Sequence, residues 1–212
     1  IVRQDIGKVM VTLAPESVPV DIIRELVAQG VIVSIGHTNA NADITLAALE
    51  AGATGFTHLF NAMSGFSGRE PGVIGTALSH QGSYAGIIMD GQHVSSISVQ
   101  AALNAKGMHH CVLVTDSMGH VGSENLTQSY FDLSITRKGN QLTTPDGRLA
   151  GSCLTMHQAV LNIARYCDVP IHDDISMAPQ RTAPWSCLDD RGFCQAANKY
   201  TSLGLDVQST DA

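Results

Sequence analysis

One pattern constrains this chain more than any other. A short apolar run rich in β-branched residues ends at a polar residue, a polar loop follows, and an amphipathic stretch usually comes next. Five such runs occur, over residues 9–13, 31–35, 55–59, 85–89 and 111–115. Their near-continuous apolarity suits strands covered on both faces, as in a parallel sheet with helical crossovers, rather than the alternation of a half-solvated antiparallel sheet. Between them, Val18, Ile22, Ile23, Leu26 and Val27 form one helical stripe, with Gly30 placed to close it. Ile44, Ala47, Ala48 and Ala51 form a second, with Asn41 or Asp43 as N-cap. Ser95 or Ser96 can cap a third, and Met156, Ala159, Val160, Ile163, Ala164 and Cys167 follow helical spacing in a last one.

Residues 121–149 break the rhythm. Phe131 to Ile135 alternates, and Lys138-Gly139-Asn140 and Pro145-Asp146-Gly147 are turn signals, so a β-hairpin excursion is expected between the fifth strand and the last helix. Residues 179–212 carry no assignable face and read as an irregular tail after a unit spanning 1–178. Strand–helix alternation with polar strand ends is the grammar of a (β/α) barrel, whose chemistry sits on the C-terminal rim. Eight strands in about 250 residues make a whole barrel, so these 212 residues are expected to supply about the last five strands of an α/β, TIM-type barrel. An open doubly wound sheet is the alternative. The chain opens on Ile1 rather than Met, which reads as the middle of a larger product.

Composition narrows the partners. Twelve Lys and Arg against 19 Asp and Glu give a net charge of −7, the opposite of a nucleic-acid footprint, so an anionic substrate would need local cations. No apolar run reaches the roughly 18 residues of a membrane span, and no signal peptide opens the sequence; a cytoplasmic protein is expected. Five cysteines, irregularly spaced and without C-x-x-C, read as reduced thiols.

The polar strand ends carry the candidate chemistry. His37 and His58 end consecutive strands, whose spacing of about 4.8 Å lets both imidazoles reach one ion; either alone is more often a structural hydrogen-bonding group, and it is the pair that brings the ligand reading level. Asp116 ends the fifth strand, as a rim carboxylate or an N-cap. Together they suggest a catalytic Zn²⁺ or Fe²⁺ site with the carboxylate as general base. His93, in Asp90-Gly91-Gln92-His93, adds a rim imidazole. Arg69, in a loop too rich in glycine to be helical, could bind a phosphate bidentately, or pair with Glu70 on a bland surface. Gly151 to Met156 leads into a helix and either caps it or offers backbone N–H groups to a ligand.

Taken in order, Val11-Thr12-Leu13-Ala14-Pro15-Glu16, Gly36-His37-Thr38-Asn39-Ala40, Thr57-His58-Leu59-Phe60-Asn61-Ala62-Met63, Gly68-Arg69-Glu70-Pro71-Gly72, Asp90-Gly91-Gln92-His93, Val114-Thr115-Asp116 and Gly151-Ser152-Cys153-Leu154-Thr155-Met156 closely resemble the N-acetylglucosamine-6-phosphate deacetylases of the amidohydrolase superfamily. The resemblance runs from about Val9 to Ala178. It implies hydrolysis of the N-acetyl group of an amino-sugar 6-phosphate to the free amine and acetate, with N-acetylgalactosamine 6-phosphate as an alternative substrate. It makes His37 and His58 metal ligands, for Zn or Fe, and Asp116 the catalytic carboxylate. It makes Asn61, Ala62, Arg69, Asp90, His93, Leu154, Thr155 and Met156 substrate-binding, with the phosphate site completed across a homodimer. The resemblance also implies a glutamate ligand and a carbonyl-polarising histidine on earlier strands, and Glu16 lies on the wrong strand to stand in for that glutamate. A non-catalytic remnant, and an amidohydrolase for a different amide, are the competing expectations.

Overall fold

The structure is a computed structural model that describes residues 7–169 together with Met177 and Trp185. Five strands, β1 (Met10–Leu13), β2 (Ile32–Ile35), β3 (Gly55–Phe56), β4 (Tyr84–Ile87) and β5 (Cys111–Leu113), form one sheet in the order β1-β2-β3-β4-β5, every pair parallel. Helices α1 (Val20–Ala28), α2 (Ala42–Glu50), α3 (Gly72–Ser79), α4 (Ser96–Lys106) and, after the excursion, α5 (Met156–Tyr166) complete the alternation. The strand order never reverses. An open doubly wound sheet requires such a reversal, so that alternative is removed, and the sheet is a five-strand arc of a partial barrel.

The two faces of the arc divide the side chains. Val33, Ile35, Phe56, Ala85, Ile87, Cys111 and Leu113 join Ile23, Ala48, Val73, Ala77, Val99, Ala102 and Ile163 of the helices in one buried core. The opposite, inner face carries Ile32 and Val112, packed with Trp185, Tyr84 and Val114. Trp185 lies so close over Gly55 that a Cβ there would stand 2.3 Å from the indole. Towards the rim the same face turns polar: the Thr57 hydroxyl bonds those of Thr12 (2.8 Å) and Ser34 (2.6 Å) across three neighbouring strands.

Local chemistry explains the element ends. Asn41 caps α2 by accepting from Ile44 N–H, Ser95 caps α4 through Ser98 N–H, and Thr155 caps α5 through Gln158 N–H. The C-cap of α1 is Gln29, one residue before the expected glycine; Gly30 follows at φ +79°, where only glycine is unstrained. Helix α3 has no counterpart among the expected elements. Its residues from Gly72 to Ala77 are all buried, so it shows no polar face and hence no amphipathic period.

Where one hairpin is expected over 121–149, the chain forms a four-stranded antiparallel sheet: β6 (Thr127–Tyr130), β7 (Leu133–Lys138), β8 (Gln141–Thr143) and β9 (Leu149–Ser152). The alternation from Phe131 misleads, because Phe131 and Asp132 are the turn between β6 and β7. Phe131 sits there at φ +51° and 86% exposed, its ring edge-on to Tyr130. Apart from Trp185, the tail expected over 179–212 lies outside the described residues. Among the described residues no helix is long and apolar enough to cross a membrane.

At the end of the arc away from the rim, Lys106 is fully buried. Its Nζ donates to the carbonyls of Ala77 and His80, both 2.8 Å away at the end of α3, and to Ser83 Oγ at 3.1 Å. Burial pushes the ammonium down to about 8 from 10.5, with the Cys111 thiol opposing. Between those two values the unfolded chain holds a proton that the native chain has released, so stability rises with pH across that window. The stability of wild type minus that of Lys106→Met, from urea melts, is therefore expected to increase from about pH 8 to about pH 10.5; a flat or falling difference contradicts this.

Candidate active site

The C-terminal ends of the strands bring the candidate residues to one rim, and they do so through an unusual backbone. His37, His58 and Asp116, just beyond β2, β3 and β5, stand at φ +50°, +35° and +49°. Residues other than glycine rarely adopt such left-handed conformations, which cost about 1–3 kcal/mol each and persist only where surrounding structure over-determines them. The corners turn each side chain out of the strand's alternation. Small residues make room: a Cβ on Gly86 would stand 3.2 Å from the His58 backbone nitrogen.

The two imidazoles converge. His37 Nε2 and His58 Nε2 lie 2.9 Å apart, with ring planes at 75°. His58 is buried and its Nδ1 has no partner; His37 is exposed. Burial is the largest influence on His58 and pushes its pKa below the ordinary value, as do the His37 and His93 rings, while a backbone hydrogen bond and the Asp116 carboxylate act the other way. A neutral imidazole is the metal-ligating form. His58 thus shares one electrostatic neighbourhood with His37, Asp116 and His93.

Two imidazole nitrogens meeting at a point fit two positions of a Zn²⁺ or Fe²⁺ site, where ligand nitrogens about 2.0–2.1 Å from one tetrahedral ion stand about 3.3 Å apart. Catalytic zinc usually takes three protein ligands, and among the described residues no group of three or more His, Cys, Asp or Glu forms such a cluster. Glu16 does not supply the third: one carboxylate oxygen accepts from the Thr38 hydroxyl, the other from Asn39 N–H at 2.8 Å. Burial works to raise the Glu16 pKa, but those hydrogen bonds outweigh it and hold the carboxyl below its usual range.

The remaining candidates divide into those that face outward and those that brace. Asp90 braces: Oδ1 accepts from the N–H groups of Gln92 and His93, both 2.8 Å, and Oδ2 lies 2.7 Å from His93 Nδ1. Burial would raise the Asp90 pKa, yet the side-chain and backbone bonds from His93, with that from Gln92, bring it below the ordinary value. The pair leaves Nε2 as the free edge of the His93 ring. Asn61 turns its amide to the carbonyls of His58 and Leu59, and the carbonyl of Ala62, itself at φ +49°, accepts from Thr38 N–H. Arg69 is exposed, and Glu70 does not pair with it; Glu70 Oε1 instead accepts from Ala42 N–H and Gly72 N–H, both 2.9 Å, at the starts of α2 and α3. Leu154 is buried, whereas Thr155 and Met156 are exposed at the start of α5. Leu154 and Thr155 line an open cleft of about 640 Å³ with Asp90, Gln92, Cys153 and Arg165, beside the imidazole pair rather than around it.

Asp116 is held by a strand that sequence reasoning does not connect to it. Its carbonyl accepts from Ser152 N–H at 2.8 Å, Met118 N–H donates to the Ser152 carbonyl, and the Ser152 hydroxyl bonds the Thr115 carbonyl. Gly151, at φ +66°, lets β9 approach, since a Cβ there would stand 2.6 Å from Met118 Cγ and 3.1 Å from the Asp116 carbonyl. Glycine in a Gly-Ser step before a helix is a weak signal for such an approach, and nothing in one sequence links Glu16 to Thr38, 22 positions away.

Comparison with known proteins finds relatives over nearly the whole chain. It is 46% identical over 181 residues to an N-acetylgalactosamine-6-phosphate deacetylase of Shewanella sp. (strain ANA-3), covering 85% of this chain and 46% of that protein. To an N-acetylglucosamine-6-phosphate deacetylase of Bacillus subtilis it is 37% identical over 195 residues, 92% of this chain and 49% of that one. The crystal structure of N-acetylglucosamine-6-phosphate deacetylase from Pasteurella multocida matches with a TM-score of 0.84 at 31% identity, over 89% of this chain and 50% of that one. The chain spans about half the length of the curated relatives it matches. No family model matches.

Proposed function

We propose that the chain belongs, over the half of their length that it spans, to the N-acetylglucosamine- and N-acetylgalactosamine-6-phosphate deacetylases, and that it carries the hydrolytic rim of such an enzyme. The observation that carries the reading is the meeting of the His37 and His58 nitrogens at 2.9 Å on two strained corners, with Asp116 on a third. His37 and His58 would hold a divalent ion, zinc or iron, with the remaining protein ligand coming from outside the described residues. When bound, the ion supplies a Lewis acid for the amide carbonyl and makes water ionise near neutral pH.

Asp116 takes the proton from the attacking water and returns it to the departing nitrogen, so that amide and water become acetate and amine. His93, with Nδ1 held by Asp90, presents Nε2 to the substrate, and Arg69 offers its guanidinium fork to the 6-phosphate. The exposure of Arg69 supports a phosphate site completed in a homodimer. Leu154, Thr155 and Met156 border the sugar, and binding energy from the remote phosphate orients the acetyl group.

The test is metal content together with acetate release from N-acetylglucosamine 6-phosphate and its galacto epimer. Near-stoichiometric zinc or iron with release from either sugar is the expected result. Metal binding no better than that of His37→Ala overturns the reading. Binding without turnover favours a chain that holds the ion but lacks the missing ligand's contribution.

A further inference from the structure

The corner at His37 needs an explanation beyond its own residue. A histidine at φ +50° is held there by its surroundings, and those surroundings are the next two residues. Thr38, 2% exposed, is gripped from both sides. On the β3 side its N–H donates to the Ala62 carbonyl at 2.9 Å and its carbonyl accepts from Ser64 N–H at 3.1 Å. Thr38 thereby pairs with Met63 as an isolated parallel bridge. On the β1 side, Glu16 takes the Thr38 hydroxyl on one oxygen and Asn39 N–H on the other. The same hydroxyl accepts from Ala40 N–H at 3.0 Å.

A carboxylate is an acceptor-only group, and hydrogen bonds to it are roughly twice as strong as neutral ones. Glu16 therefore fixes the loop leaving His37 more firmly than a neutral side chain would, and it does so without touching the imidazole. We propose that Glu16 is a positioning residue: its two hydrogen bonds to Thr38 and Asn39 lock the corner that aims His37 Nε2 at His58 Nε2. The proposal rests on the reading of that pair as a metal centre.

Zinc affinity by calorimetry, the visible spectrum of the cobalt-loaded chain, and hydrogen exchange of the 38–40 amides without metal test it. The full chain is compared with Glu16→Ala, Glu16→Gln and His37→Ala. Outer-shell partners typically contribute about 10–100-fold in metal affinity, so Glu16→Ala is expected to weaken zinc tenfold or more and shift the cobalt bands. Glu16→Gln, which keeps one oxygen for Asn39 N–H, should fall between. Wild-type affinity and spectrum in Glu16→Ala, with His37→Ala impaired, overturn the role of Glu16 and leave the metal centre standing. If the wild type binds no better than His37→Ala, the metal centre itself is overturned, and exchange decides. Protection of the 38–40 amides lowered by about tenfold or more in Glu16→Ala supports the lock, and unchanged protection overturns it.

Discussion

On the function proposed for the rim, replacing Asp116 with Asn is expected to lower kcat for acetate release by about 10²–10⁴-fold, with KM and metal content little changed. The substitution is diagnostic because of the backbone beneath it. At φ +49° Asp116 occupies a conformation that Asn tolerates as well as Asp, so the corner survives while the proposed proton acceptor is lost. Acetate release is measured on this chain or, if the chain alone is silent, on the matched Shewanella deacetylase carrying the same change. Turnover within a few-fold of wild type would remove Asp116 from the proton transfers.

The second large effect lies away from any reacting group. Gly151→Val places a branched side chain where a Cβ already stands 2.6 Å from Met118 Cγ, at φ +66°. Strain and displacement together are expected to cost about 2–4 kcal/mol of stability. Because β9 also carries the Ser152 contacts to Thr115 and Asp116, the rim carboxylate must move. A shift of about 1 Å at a catalytic group can cost about 10² in rate. Urea melts and kcat on the same variant check both halves. A variant within about 0.5 kcal/mol of wild type would show that β9 is free to retreat.

What sequence alone revealed follows the reach of each signal. The four longer strands each lie within a residue or two of their apolar runs, and the caps Asn41 and Ser95 each obey a rule that operates over three residues, as does Thr155, which by name carried only a substrate-binding expectation. The third strand is shorter than its run because the chain turns at Thr57, immediately ahead of the left-handed His58. Helix α3 escaped because burial on every side erases periodicity, and the Phe131 turn escaped because an aromatic residue at positive φ imitates a strand.

The site was legible in the same graded way. His37 and His58 are recognisable as strand-end residues, and their approach follows from strand spacing. The bracing of Asp90 onto His93, of Glu70 onto two helix starts and of Glu16 onto Thr38 is not recognisable. Single-sequence patterns carry no record of which loops touch. Of these bracing acids only Asp90 carries a substrate-binding expectation from its motif, and its role becomes clear only when each oxygen's partner is known.

Trp185 packs over Gly55 against Tyr84, Ile32 and Val112, at the opposite end of the inner face from the imidazoles. It is also the sole tryptophan in the chain. Its fluorescence is therefore an optical gauge of the barrel floor: events at the rim that leave the floor intact should not alter the emission, whereas loosening of the arc should shift it to the red.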